Sequence, residues 1–491
     1  MATTLLDQET AGFVRGFNAY RDPQISRSNP NPEAFRDAWS ARMSTAWNKQ
    51  ACPGCSDDLR FALRRSSMSF LQHFLLGKPL ERNGQSSALL AASRARSWRA
   101  GSTNGKWRTG IEAEWASTEL VERQDLPTIE GSAEARAIRP VGRHYDYSVR
   151  SRTLAGYGSG AWSPQAAWTL SLGARLESTS YAYDNRMRDG NAAESGQACA
   201  FGGCLFSRPA DRSDTFRNFA PRFDGTFRAS SNDRIFVSVA AGFRPPETSE
   251  LYRLQRQQNI ARLASERVRS IELGWRHEDA RLATSLAAFA MRKSAVILRE
   301  SNGFNVDNGR TRHEGIEYEL RWRAFPDLTV SSSGALARHR YDFSRSIDGG
   351  EQVIAGRDVD TAPRQQHRLA VDWRPTPSLQ AEVEIAVLGP YFLDAANERT
   401  YPGHAVANLR ASWRLSSAWK ATLRLRNLAD RRYADRADFA QGDYRYFPAA
   451  GRSLYVALEY GRNSGSGTAA LDATPPRPDN PVSFSDPRTG E

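Results

Sequence analysis

The sequence predicts an all-β protein, an antiparallel up-and-down transmembrane β-barrel with long extracellular loops and short periplasmic turns. Three observations predict it. About eighteen segments alternate apolar and polar residues with period two. Their connections alternate strictly between tight turns and long loops. Ten of the twelve tryptophans fall within a few residues of a short connection.

Taken in order, the strands are read at 8–20, 38–50, 58–76, 84–98, 105–120, 143–162, 166–184, 214–229, 233–243, 267–277, 280–299, 311–323, 328–343, 362–374, 378–392, 404–415, 418–428 and 450–461. Short connections fall at 163–165, 230–232, 277–279, 324–327 and 375–377. Long ones fall at 121–142, 185–213, 244–266, 344–361 and 429–449, and a short helix is expected within 250–264. A soluble sandwich or propeller mixes connection lengths, whereas an outer-membrane barrel keeps short turns on one side.

Face assignments agree along individual strands. Ile271, Leu273 and Trp275 oppose Ser270, Glu272, Gly274 and Arg276, and Ile316, Tyr318, Leu320 and Trp322 oppose Glu317, Glu319, Arg321 and Arg323. Leu369, Val371 and Trp373 oppose Arg368, Asp372 and Arg374. One face suits lipid and the other a wet lumen, for which Glu272, Glu317, Glu319, Arg321, Arg374 and Arg424 are the candidates. The tryptophans at 47, 98, 107, 162, 168, 275, 322, 373, 413 and 419 read as the girdle on the short-turn side, where an indole is half buried with its N–H in water.

Composition bounds the alternatives. The 491 residues have a mean hydropathy of −0.60, and no apolar run approaches the roughly 18 residues of a spanning helix. The +12 charge is almost entirely arginine, spread through every segment and interleaved with acids. It predicts a basic surface and no nucleic-acid partner. The N-terminus lacks a basic stretch followed by an apolar one, so no secretory signal is read there. Four cysteines form two local pairs, Cys52 with Cys55 in a short turn and Cys199 with Cys204 in a long loop. They are read as disulfides of an oxidising compartment. The seven histidines show no metal-ligand spacing, and no phosphate loop or nucleophile elbow is present, so neither an enzyme nor a cofactor is predicted.

Several stretches resemble the barrel of TonB-dependent outer-membrane receptors of the siderophore-uptake kind. They are Gln72-His-Phe-Leu-Leu-Gly-Lys-Pro-Leu-Glu81, Gly242-Phe-Arg-Pro-Pro-Glu-Thr-Ser-Glu-Leu-Tyr252, Arg312-His-Glu-Gly-Ile-Glu-Tyr-Glu319, Asn427-Leu-Ala-Asp-Arg-Arg-Tyr-Ala434 and Tyr446-Phe-Pro-Ala-Ala-Gly-Arg-Ser-Leu-Tyr455. The resemblance implies a barrel over residues 1–461, monomeric in outer-membrane lipid, and the composition of 462–491, rich in Gly, Ser, Thr, Pro and Asp, reads as a disordered tail. The resemblance also implies capture of a ferric siderophore or similar chelate in the external loops, with Arg244, Tyr252, Arg253, Arg431, Arg432, Tyr433, Phe439, Tyr444 and Tyr446 as the ligand-binding candidates. Cobalamin, haem, copper or a glycan are the alternative cargoes, and a passive porin-like channel or a soluble basic binding module the alternative classes. The sequence departs from the family in two ways. A plug domain with its TonB-contact segment is not recognisable, and about eighteen strands stand against roughly 22 in such transporters, so an N-terminally incomplete receptor is expected. The last strand keeps Leu454, Val456, Leu458 and Tyr460 in register, but Arg462 follows where the family ends on an aromatic residue.

Overall fold

The computed structural model describes residues 1–10, 12–256, 258, 263–299, 305–346, 352–440 and 442–461. The 462–491 segment, read above as a disordered tail, lies outside the described residues.

Eighteen long strands build one antiparallel wall. They are β1 (Ala2–Glu9), β2 (Phe35–Cys52), β3 (Cys55–Leu71), β4 (Leu80–Ala100), β5 (Thr103–Gln124), β6 (Gly142–Ser163), β7 (Trp168–Asn185), β8 (Arg212–Arg228) and β9 (Asp233–Arg244). The second half holds β10 (Glu266–Glu278), β11 (Leu282–Arg299), β12 (Asn305–Phe325), β13 (Leu328–Tyr341), β14 (Gln365–Thr376), β15 (Leu379–Leu388), β16 (His404–Arg414), β17 (Trp419–Arg426) and β18 (Ser453–Tyr460). Each strand pairs with the next, from β1 on β2 to β17 on β18. Among the described residues no ladder joins β1 to β18.

The expected alternation holds along the wall. β2–β3, β4–β5, β6–β7, β8–β9, β10–β11, β12–β13, β14–β15 and β16–β17 close through turns of two to four residues. The other ends carry the longer connections, at 10–34, 72–79, 125–141, 186–211, 245–265, 342–364, 389–403 and 427–452, except that β11 and β12 are joined through 300–304 alone. The first strand lies earlier than the periodicity predicts. The period-two pattern at 8–20 is mostly loop, because β1 occupies Ala2–Glu9 and the chain then turns through short 3₁₀ segments at Ala19–Arg21 and Ile25–Arg27. Val14, Ala19 and Tyr20 are buried against other loops and Phe13 packs on Phe447, so the apolar residues of this stretch serve loop packing rather than a wall face. The expected helix is a single turn, Thr248–Tyr252, opened by a reciprocal cap between Glu247 and Glu250.

Registers place opposite residues on the same side of the wall. The row Ile235, Trp275, Leu286, Tyr318 and Gly334 continues above into Val237, Leu273, Ala288, Ile316 and Leu336. Leu273, Ile316 and Leu336 are exposed, and so are all ten tryptophans beside the short turns. Apolar side chains left in the open on one face, with indoles along its lower rim, form the lipid-facing belt of a membrane barrel. Glu272, Glu317, Glu319, Arg321, Arg374 and Arg424 occupy the opposite face, toward the lumen. No helix among the described residues is long and apolar enough to cross a membrane.

The long loops form three apolar clusters at the outer end. The first joins both termini of the wall. Val14 and Arg15 pair with Tyr446 and Arg445 in a small sheet, and Tyr20, Tyr391, Leu393, Tyr401 and Tyr446 pack beneath it. The second gathers Tyr145, Tyr147, Tyr183, Phe206 and Tyr252, and the third Val296, Leu298, Tyr341, Phe343 and Val353.

Replacing Leu273 with Arg puts a charge in the middle of the belt, at a cost of about 2–4 kcal/mol in a barrel. Denaturant unfolding in lipid vesicles is expected to show that loss, while Glu272→Arg, one residue along on the lumenal face, leaves the unfolding free energy within about 1 kcal/mol of the parent.

Candidate ligand site at the outer mouth of the lumen

A cavity of about 1330 Å³ opens inside the outer end of the wall. Its lining is drawn from the loop at 10–34, the stretch at 72–79, the loop between β9 and β10, and the last loop, between β17 and β18. One sector is basic and aromatic. Phe13 and Phe447 meet edge to face at 6.0 Å, the Arg15 guanidinium lies 5.3 Å from the Phe13 ring centre, and Arg445 lies 4.8 Å from the same ring. Arg436 stacks 5.8 Å from Phe447. Arg445 is held in place by Asp438, which accepts from Nε at 2.7 Å and Nη2 at 3.0 Å. Arg15 is exposed and makes no ion pair among the described residues. Cations held against ring faces, one of them uncommitted, suit a flat anionic ligand.

The opposite sector is a buried charge network. Glu81 of β4 and Glu122 of β5 sit directly opposite each other in the ladder. Arg253, from the loop between β9 and β10, enters between them with Nη1 2.8 Å from Glu81 and Nη2 on Glu122. Gln72 bridges the two carboxylates with its amide at 2.9 and 3.1 Å. His144 Nδ1 approaches Glu122 at 3.0 Å. Two adjacent buried carboxylates repel each other unless a cation neutralises them, so Arg253 fastens its loop to the inner wall.

The nine ligand-binding candidates separate sharply. Arg253 and Phe439 line the cavity. Phe439 is covered by Arg399, whose guanidinium sits 3.8 Å from the ring centre. Arg244 lies outside the lining, because Glu250 and Glu266 accept its N–H groups at 2.9–3.1 Å and Glu247 stands 3.4 Å away. Tyr252 is fully buried, stacked 4.4 Å from Tyr183, and donates its hydroxyl proton to Asp214 at 2.9 Å. Tyr446 is buried against Tyr20, and burial pushes its phenol up to about 12. Arg432 donates to the Arg21 carbonyl, Tyr433 packs on His404, and Tyr444 packs on Phe17 and Phe439.

Arg431 is set by the turn that precedes it. Asn427 has φ +52, accepts the Arg431 N–H at 2.8 Å and donates to the carbonyls of Arg431 and Ala450. Asp430 accepts the Arg452 N–H at 2.8 Å. The Asn427–Ala434 motif therefore staples the last loop through its backbone, and the side chains of Arg431 and Arg432 stand exposed outside the cavity lining. The Gly242–Tyr252 motif likewise builds a capped turn that delivers Arg253.

Phe13, Arg15, Arg436, Arg445 and Phe447 are not singled out by the sequence pattern, because the periodicity of 8–20 reads as a strand and Arg436 and Arg445 gain meaning only when the first and last loops pair. Nor does the pattern mark a histidine pair. His313 and His339 face each other across β12 and β13 with their Nδ1 atoms 2.8 Å apart, a contact that sequence spacing does not encode. The cysteines lie as paired in sequence, Cys52 bonded to Cys55 with Cα atoms 5.0 Å apart and Cys199 to Cys204 at 4.8 Å.

The wall and its outer cavity define a membrane β-barrel with a ligand-sized mouth. Residues 5–428 match the family described as TonB dependent receptor-like, beta-barrel, and the chain belongs to that family of outer-membrane receptors. Its fold is similar to the ferric citrate transporter FecA in its unliganded form, with TM-score 0.72 at 15% identity over 93% of this chain and 66% of that one. The siderophore receptor PiuA from Acinetobacter baumannii gives 0.73 at 12% over 93% and 70%. The ferric yersiniabactin uptake receptor FyuA from Yersinia pestis gives 0.68 at 15% over 91% and 65%. The chain thus spans about two thirds of the length of these relatives.

Arg253→Gln leaves Glu81 and Glu122 buried and facing each other. Loss of one partner from such a network costs about 3–5 kcal/mol. The expected outcome is a lower unfolding midpoint together with faster proteolysis between β9 and β10, read by gel mobility before and after heating and by limited digestion.

Proposed function

We propose that this chain is the barrel of a receptor that takes up a ferric siderophore or a similar anionic metal chelate across the outer membrane. The observation that carries the reading is the basic and aromatic sector of the outer cavity, where Phe13, Arg15, Arg436, Arg445 and Phe447 converge. Flat chelating rings stack on Phe13 and Phe447, and carboxylate or catecholate oxygens pair with Arg15 and Arg445. Family relatives named for ferric citrate and ferric yersiniabactin support the same cargo class. The lumenal carboxylates and arginines at 272, 317, 319, 321, 374 and 424 face the space that a plug occupies in such receptors. Energy for release then comes from the TonB complex acting on the whole receptor.

The test is ligand binding by the purified protein, followed by quenching of tryptophan fluorescence with ferric citrate, a ferric tris-catecholate and a ferric hydroxamate. At least one anionic chelate is expected to bind, and Arg15→Gln to weaken it about tenfold, the size of a lost charged hydrogen bond. Binding of none of the three overturns the reading. Steady large currents in a planar bilayer with no chelate bound point to a passive channel instead.

A further inference from the structure

The outer wall carries a feature unrelated to ligand capture. Arg269, Arg292, Arg312 and Arg340 stand directly opposite one another in successive ladders of β10, β11, β12 and β13. All four point to the lipid side, because Arg269 shares its face with Ile271, Leu273 and Trp275. Arg267 lies two residues further out and Arg338 on the row below. Among these outward positions Glu314 is the single carboxylate.

Like charges directly opposite across a ladder are destabilising. The protein relieves this in part. Glu314 reaches Arg340 at 3.2 Å, Asp342 reaches Arg312 at 3.5 Å, and Asp358 reaches Arg338 at 3.6 Å. Arg267, Arg269 and Arg292 are exposed and have no carboxylate partner among the described residues. Six residues of strand, roughly 20 Å at about 3.4 Å each and about 15 Å along the membrane normal at the usual tilt, separate Arg269 from Trp275 at the opposite rim. The long side chains therefore extend from the upper edge of the apolar belt to the headgroup level. Four strands at about 4.8 Å spacing make the row about 14 Å wide, room for more than one phosphate.

We propose that this row is a binding site for the phosphate groups of phosphorylated lipid in the outer leaflet. The lipid's acyl chains lie on the belt formed by Ile271, Leu273, Ile316 and Leu336, and its phosphates take the place of the missing counter-ions. Continuity between the arginines and that belt favours a lipid over an acidic protein, which would have no use for the apolar surface below. The site is independent of the chelate cavity, which lies on the other side of the wall.

The experiment uses the purified chain in nonionic detergent, titrated with bis-phosphorylated lipid A and with the same lipid stripped of its phosphates, and read by native mass spectrometry. The phosphorylated lipid is expected to be retained and the stripped lipid not. The triple variant Arg269→Gln, Arg292→Gln, Arg312→Gln is expected to lower affinity about a hundredfold, from the contribution of a basic residue at an anionic surface. Unchanged heat-modifiable mobility checks its fold. Should the triple variant misfold, Arg292→Gln alone is measured, with about a fivefold loss expected. Equal retention of both lipids, or variants that bind as the parent does, overturns the proposal. Displacement of the lipid by millimolar inorganic phosphate overturns the lipid assignment in favour of a free-phosphate site, and retention of an acidic peptide in preference to the lipid does so in favour of a protein partner.

Discussion

Backbone hydrogen bonding in a medium without water is the constraint on which the rest depends. An unpaired N–H or C=O in hydrocarbon costs several kcal/mol, so a strand that crosses a bilayer must pair on both sides. This explains why eighteen strands of a chain with mean hydropathy −0.60 form one continuous wall. It also explains why only alternate residues need be apolar, and why charged residues such as Glu272 and Arg321 are tolerated within a residue of Leu273 and Trp322.

The same constraint makes the junction of the first and last strands the point of greatest interest in the wall. β1 and β18 share no ladder among the described residues, yet the loops beyond them are locked together. Val14 and Arg15 extend the small sheet of the last loop, and Tyr20, Tyr401 and Tyr446 pack as one cluster. The outer end is thus bridged by loop backbone and aromatic packing. That bridge also brings Arg15 beside Arg445, so the fastening of the two termini and the assembly of the basic sector are one structural event.

Charge is used in three distinct ways. Within the lumen mouth, Arg253 neutralises two adjacent carboxylates and anchors a loop. Near the entrance, Arg15 and Arg445 stand against ring faces. On the outside, arginines line up with like charges for neighbours and with too few acids to balance them. The first is balanced within the protein, whereas Arg15 in the second and Arg267, Arg269 and Arg292 in the third have no carboxylate partner among the described residues.

The barrel was legible in the sequence because period two, turn length and tryptophan placement are local properties. Ile271, Leu273 and Trp275 declare their face without reference to any other strand, and a two-residue turn declares its neighbours antiparallel. The site was legible only in fragments. Arg253 and Phe439 were picked out as loop residues of the right chemistry, but Arg244, Tyr252 and Tyr446 had the same chemistry and are committed to salt bridges, a hydrogen bond and packing. The meeting of Glu81 with Glu122, of His313 with His339, of Arg15 with Arg445 and of four arginines in one row depends on ladder register between strands and loops distant in sequence. The sequence by itself determined which face of each strand meets lipid, since that is decided by the side chains of the strand alone. Only the tertiary structure decided which charges meet, because register is settled by the whole wall at once.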